Sequence, residues 1–211
     1  MAGEQGSDQG SERGGLRERI LKESRRLFVS HGYEATSMRL IAREVGCSST
    51  AIYLYFKNKD ALMFAVIDDG FEQFTQKLHE AGTFGGSPIS RLRRLGWAYV
   101  EFGLEHVELY SMIFLQRSEF LIRSGEEGDD APAAETGEPR YKALHVLRRV
   151  LAEIVGKPED HQDVVAHADA LWAGLHGIVS LTITTPIVDR ARAMRASELV
   201  IELFISGLSG R

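Results

Sequence analysis

Cysteine is nearly absent from this sequence: Cys47 is the only one in 211 residues. A single thiol excludes an internal disulfide and any zinc site built on paired cysteines. The chain therefore reads as the product of a reducing compartment, and a cytoplasmic protein is expected. No basic cluster surrounds Cys47 to lower its pKa, so its expected part is to fill a small turn position. Catalytic signatures are missing as well. There is no Walker A run, no G-x-S-x-G, no H-E-x-x-H and no glycine-rich nucleotide loop after a strand, so neither an enzyme nor a bound cofactor is expected. Asp68 and Asp69 are adjacent, which makes them diverge on a helix, and they cannot act as a facing acid/base pair. Of Asp160, His161, Asp163 and His167 only Asp163 and His167 stand four apart, one pair being too few for a ligand set, and the group reads as a solvated helix start, so no metal is expected. A metal-sensing binding protein is the alternative they leave open. Strong basicity is also absent, since the net charge is -5, and a protein that coats DNA without sequence choice is disfavoured.

Long apolar runs are few. The opening MAGEQGSDQGSERGG has none, which argues against a secretory signal and predicts a disordered lead-in over residues 1–14. The longest uncharged stretch, Ala170 to Val188, approaches the roughly 20 residues of a membrane span. Its content argues otherwise: His176, Ser180, Thr182, Thr184, Thr185 and Pro186 would leave polar groups facing lipid, so a core or dimer helix is expected and no membrane partner.

What the sequence does hold is helical periodicity, with strand-length alternation scarce throughout. The expected fold is all-α: an N-terminal three-helix bundle with a helix-turn-helix at 15–60, then a helical ligand-binding and dimerisation body at 61–211. With 44% hydrophobic residues, a chain of this length can bury a real core without staples. The first helix is placed from near Gly15 to near Ser30, burying Leu16, Ile20, Leu27 and Phe28. Thr36 or Ser37 caps a second helix whose Met38, Ile41, Ala42 and Val45 fall on one face, and Gly46 closes it. A third helix runs from about Ser49 to Phe56, and a fourth from Lys59, capped by Asn58, to Gly82. Further helices are placed at about 89–106, 107–122, 140–155, 160–184 and 190–207. Residues 124–138 hold no large apolar side chain and read as a mobile loop.

In a helix-turn-helix the first helix braces the second, leaving one face of the second free to enter a major groove. Ala42, Val45 and Ile52 supply the packing. Ser49, Thr50, Tyr53 and Leu54 then face outward, with Tyr55 and Lys59 flanking. Thr36, Ser37 and Arg39 lie at a helix N-terminus, where backbone N–H groups favour phosphate. Charge placement agrees: residues 1–60 carry 10 Lys+Arg against 8 Asp+Glu, while 61–211 carry 15 against 22.

The run TSMRLIAREVGCSSTAIYLYFKNKDAL resembles the DNA-binding domain of the TetR family of bacterial regulators. The resemblance rests on Leu27-Phe28, Gly32-Tyr33, Thr36-Ser37, Ile41-Ala42, Val45-Gly46, Ile52-Tyr53-x-Tyr55-Phe56 and Lys59. It implies a cytoplasmic repressor, released from its operator by a small molecule. The DNA contacts implied are Thr36, Ser37, Arg39, Ser48, Ser49, Thr50, Ala51, Tyr53, Leu54, Tyr55 and Lys59. Leu54 departs from the polar group often found there and could meet a thymine methyl. The partners implied are a palindromic double-stranded DNA operator, a second copy of the chain in a homodimer, and a largely apolar effector.

The stretch Leu171 to Leu181, with Trp172, His176 and Gly177, looks like the tryptophan-histidine-glycine subclass of that family. Trp172 and His176 share a helix face, and Gly174 and Gly177 permit close helix approach. These residues either lock the helix in place or touch a ligand. Trp97, Phe102, Tyr110, Met112, Phe114, Trp172 and His176 are the candidates for lining an effector cavity, each of them a core residue by default.

Overall fold

Glycine and serine punctuation sets several of the helix ends in the computed structural model, which describes residues 8–115 and 139–209. Nine α-helices and one π-helical segment occur among the described residues, and no strand. The chain divides into two compact units, 1–69 and 70–211.

In the first unit, α1 spans Asp8–His31. It starts well before the predicted Gly15, because Gln9, Glu12 and Arg13 are good helix formers and no proline interrupts them. The predicted lead-in is thus helical from residue 8, and residues 1–7 lie outside the described ones. Ile20, Leu21, Leu27 and Phe28 are buried, while Leu16 is only half-buried. Helix α2 spans Met38–Val45 and α3 spans Ser49–Tyr53. Helix α3 is shorter than the sequence suggests, since the chain must turn before Asn58, whose Oδ1 accepts from Ala61 N–H (2.7 Å) to open α4, Lys59–Thr83.

Helix α4 enters the second unit after Asp69. Gly82, expected to end α4, lies within it instead. A Cβ there would stand 3.0 Å from Val146 Cγ1, so this glycine serves close packing. Helix α5 (Pro88–Glu105) is capped by Ser87, whose Oγ accepts from Ser90 N–H (3.2 Å). Helix α6 (Val107–Tyr110) passes into a π-helical segment, Ser111–Leu115, in place of one continuous helix to 122. The rest of that predicted helix and the predicted loop at 124–138 lie outside the described residues. Helices α7 (Pro139–Val155), α8 (Gln162–Thr184) and α9 (Arg190–Ser209) complete the unit.

Helix α5 packs against α7, α8 and α9. A Cβ on Gly96 would meet Ile201 Cδ1 at 2.7 Å, and one on Gly103 would meet Val179 Cγ1 at 2.5 Å, so α5 lies against both neighbours at backbone range. Arg93 reaches Glu202 through two hydrogen bonds of 2.5 and 2.8 Å, and Arg91 grips Glu153 similarly. These pairs hold carboxylate pKa values low but sit in solvent, where such bridges stabilise little.

Helix α8 is long and apolar enough to cross a membrane by length and composition. Here Val164, Ala168, Leu171, Leu175 and Val179 face inward, and the helix packs on α5, α7 and α9. Helix α9 buries Ala193, Ser197, Ile201 and Ile205, leaving Leu199 and Leu203 exposed at 59% and 63%.

Candidate functional site

Helices α2 and α3 are joined by Gly46, Cys47 and Ser48. Gly46 adopts φ 75°, a left-handed conformation that side chains disfavour. The N–H groups of Gly46 and Cys47 then bond back to Arg43 O (3.2 Å) and Ala42 O (2.9 Å), closing the last turn of α2. Ser48 immediately caps α3, its Oγ accepting from Ala51 N–H at 3.1 Å. With Ile41, Ala42 and Ile52 buried and Val45 half-buried, the packing side of this pair is used up.

The outer side is open. Thr50, Tyr53 and Leu54 are exposed, Leu54 at 81%, and Ser49, Ala51 and Tyr55 are half-buried. Ser37 and Ser48 are exposed and use their oxygens as acceptors in caps, which leaves each O–H free to donate outward. Arg39 is exposed beside Ser37.

Thr36 corrects the sequence reading. It is 1% exposed and its Oγ1 hydroxyl lies 2.8 Å from Gly32 O and 3.2 Å from Leu27 O, so it pins the α1–α2 loop and presents nothing outward. The shared Thr-Ser pattern hid this division of labour, in which Ser37 alone does the capping. Lys59 is also more engaged than predicted. Its Nζ donates to Tyr33 O (2.8 Å) and stands 4.0 Å from the centre of the Tyr33 ring, leaving N–H donors to spare.

In the second unit α4, α5, α7, α8 and the π-helical segment border a cavity of about 410 Å³. Its wall includes Phe71, Phe74, Leu78, Phe114, Leu147 and Leu175. Of the predicted lining residues, Phe114 and Trp172 reach it. Trp97 is half-buried elsewhere. Phe102 and Met112 are core, Phe102 packing on Phe74 with ring centres 5.0 Å apart. Sequence reasoning missed the α4 row Phe71, Phe74 and Leu78, although its i, i+3, i+7 spacing marks one helix face. It missed Tyr99 as well.

Tyr110 and His176 stand behind the wall and are tied to it through Tyr99. Trp172 Nε1–H donates to Tyr99 Oη (3.2 Å), Tyr99 Oη lies 2.8 Å from Tyr110 Oη, and Tyr110 Oη lies 2.6 Å from His176 Nδ1. His176 Nε2 is 3.2 Å from Ser180 Oγ. Burial pushes the Tyr110 phenol up to about 12 and raises that of Tyr99, while it lowers the pKa of His176. All three effects favour neutral groups. Gly174 brings α8 close to Val200, where a Cβ would sit 3.2 Å from its Cγ1, whereas Gly177 has nothing within 4 Å.

Among the described residues no group of three His, Cys, Asp or Glu is placed to hold a metal ion. Asp163 pairs with Lys157, whose hydrogen bond lowers its pKa, and the Nδ1 of His167 turns to the carbonyl of Asp163.

A braced helix with an unoccupied outer face and a body with an apolar cavity define a helix-turn-helix regulator. Residues 20–66 match the family model for bacterial regulatory proteins of the tetR family, and residues 92–203, more than half of the chain, match the Tetracyclin repressor-like C-terminal domain. The chain belongs to the TetR family of bacterial regulatory proteins. The fatty acid metabolism regulator protein of Bacillus subtilis (strain 168) is 27% identical over 198 residues, covering 91% of this chain and 95% of that one. The uncharacterized HTH-type transcriptional regulator YuxN of the same organism is 31% identical over 93 residues, 44% of this chain, and the chain spans only 32% of that relative's length. The transcriptional regulator FadR from Bacillus subtilis, solved in complex with stearoyl-CoA, shares the fold with a TM-score of 0.68 at 19% identity, over 90% of this chain and 98% of that one.

Proposed function

We propose that this chain is a cytoplasmic repressor that binds a palindromic operator as a homodimer and releases it when a largely apolar effector fills the body cavity. The observation that carries this reading is the split along α3 and its C-cap: Ile52 is fully buried while Thr50, Tyr53 and the capping Leu54 are exposed. In this reading Ser49, Thr50, Ala51, Tyr53 and Leu54 meet base edges. Ser37, Arg39, Ser48, Tyr55 and Lys59 hold phosphates. Thr36 contributes indirectly, by fixing the loop that sets Ser37.

Dimerisation follows from two needs. A mildly basic head gains affinity by pairing, and two heads must stand about one helical turn, roughly 34 Å, apart on DNA. The exposed Leu181, Leu199 and Leu203 of α8 and α9 offer the apolar area for a second copy. Trp172, His176 and Gly177 support a reading of the body as one of the tryptophan-histidine-glycine subclass, with Trp172 at the cavity and His176 behind it. The relative solved with stearoyl-CoA, a molecule with a long apolar chain, supports an apolar occupant. An effector that binds better to one arrangement of the dimer shifts the population away from the DNA-competent one.

The test is selection of the full-length protein against random duplexes, with its mass measured in solution. A palindrome bound by a dimer is expected. Failure to select any sequence, or a Tyr55→Ala/Lys59→Ala double variant that binds the selected duplex as the parent does, overturns the proposal.

A further inference from the structure

Among the described residues fourteen line the body cavity, and of these only Tyr99 and Trp172 carry a polar side-chain atom; none of the fourteen carries a charge. The polar chemistry that the described wall offers an occupant is one phenol and one indole N–H, together with the groups that hold them.

Proton accounting fixes what these groups can offer. The Trp172 N–H can only donate, and its partner is the Tyr99 oxygen. With His176 neutral, every donor in the cluster finds an acceptor if the chain runs one way: Trp172 to Tyr99, Tyr99 to Tyr110, Tyr110 to His176 Nδ1, and His176 Nε2–H to Ser180 Oγ. A guest that accepts a hydrogen bond can take the Tyr99 O–H. Tyr110 then loses a donor to its oxygen but still gives its own proton to His176. No donor is orphaned, and only one phenol lone pair is left vacant, which is the cheaper deficiency. A guest that only donates must compete with Trp172 for the Tyr99 oxygen. A charged head would lie against phenyl, leucyl and isoleucyl groups with no counter-ion among the described lining residues, and a desolvated unpaired charge is strongly disfavoured.

We propose that the cavity takes an uncharged apolar molecule bearing a hydrogen-bond acceptor such as a ketone carbonyl, and that the Tyr99 hydroxyl is the specificity-determining donor to it. The proposal rests on reading the body cavity as the effector site, and it narrows the effector to neutral acceptors against fatty carboxylates and lipophilic cations.

The test uses the full-length protein and three probes with similar chains: 2-decanone, decanoate and decyltrimethylammonium, titrated calorimetrically. The ketone binds at least tenfold more tightly than either ion. Tyr99→Phe keeps the ring in the wall, removes the donor together with the oxygen that accepts from Trp172 Nε1–H, and weakens the ketone roughly fivefold to tenfold, the worth of one neutral hydrogen bond. An ion that binds as tightly as the ketone, a ketone that does not bind, or a folded Tyr99→Phe variant with parental ketone affinity overturns the proposal. The order of the three probes on the parent protein decides the matter if the variant does not fold. Operator selection is measured separately, so a chain that selects DNA but prefers decanoate loses this inference and keeps the proposed function.

Discussion

Tyr110 Oη and His176 Nδ1, 66 positions apart in sequence, meet at 2.6 Å, the shortest link in the chain from Trp172 to Ser180. With Tyr110 as the donor, the imidazole is neutral and carries its proton on Nε2. Desolvation supplies that preference, and the side chains bonded to the ring, from Tyr99, Tyr110 and Ser180, bring no charge.

A pH dependence follows from the lowered His176 pKa. The unfolded imidazole titrates near 6.5, so between that value and the lower folded one the unfolded state binds more protons. Stability from this site is complete above about pH 6.5 and declines as pH falls toward the folded value. Thermal melts between pH 7.5 and 5 should show Tm decreasing on acidification, with a shallower slope for His176→Gln. Glu153, Glu202 and Asp163 have lowered pKa values from hydrogen bonds to Arg91, Arg93 and Lys157. Their contributions are present above the ordinary carboxylate range and are lost below it, outside this window. Parallel slopes for parent and variant would contradict the assignment.

Thr36→Val should destabilise the first unit by about 1–3 kcal/mol, because the carbonyls of Leu27 and Gly32 lose their hydroxyl partner in a buried site. Thr36→Ser should recover most of it. Denaturant midpoints check this. The base preference of the folded Thr36→Val fraction should match the parent, which distinguishes a brace from a DNA contact.

Thr50→Ala and Lys59→Ala should fail in different ways. Thr50 is exposed, so its loss should leave stability within about 0.5 kcal/mol while changing preference at one operator position by about 1–3 kcal/mol. Loss of Lys59 should weaken all sequences alike and reduce the salt slope by about one. Binding titrations at several salt concentrations, with matched and mismatched duplexes, separate the two. A sequence-selective defect in Lys59→Ala would reverse its assigned part.

Gly103→Ala should overpack the α5–α8 contact and cost about 1–3 kcal/mol, since the new methyl meets Val179 Cγ1 at 2.5 Å and the Tyr110 ring at 3.1 Å. Adding Val179→Ala should restore part of the loss, a non-additive result. Gly177→Ala, with open space around it, should be neutral or stabilising, within the roughly 1 kcal/mol by which alanine exceeds glycine in a helix. Equal losses for Gly103→Ala and Gly177→Ala would contradict the packing described.

The helix-turn-helix was legible because its residues act over short range. Ser37, Gly46, Ser48 and Asn58 make bonds to backbone within five positions, and Met38, Ile41 and Ala42 repeat with the helical period. The cavity was not, because it depends on which face of each helix meets which neighbour. Aromatic content alone put Trp97, Phe102 and Met112 on the same footing as Phe114, and only the packing of α4 against α5, α7 and α8 around an empty volume separates them. Tyr99 reads in sequence as one more tyrosine on an apolar helix. Its importance lies in partners 11, 73 and 77 positions away. The π-helical segment that sets Ile113 and Phe114 into the wall has no signature in the sequence.

The solvent-facing side chains of α3 support nothing inside the molecule: Ile52 carries the packing, Ser48 the cap and Thr36 the loop. Replacing Thr50, Tyr53 or Leu54 therefore leaves the scaffold almost untouched. A lineage carrying this chain can explore new operators by single steps, each one a folded protein. A change at Tyr99 or His176 disturbs three hydrogen-bond partners at once. Descendants of this sequence should diverge quickly in which genes they control and slowly in what they sense.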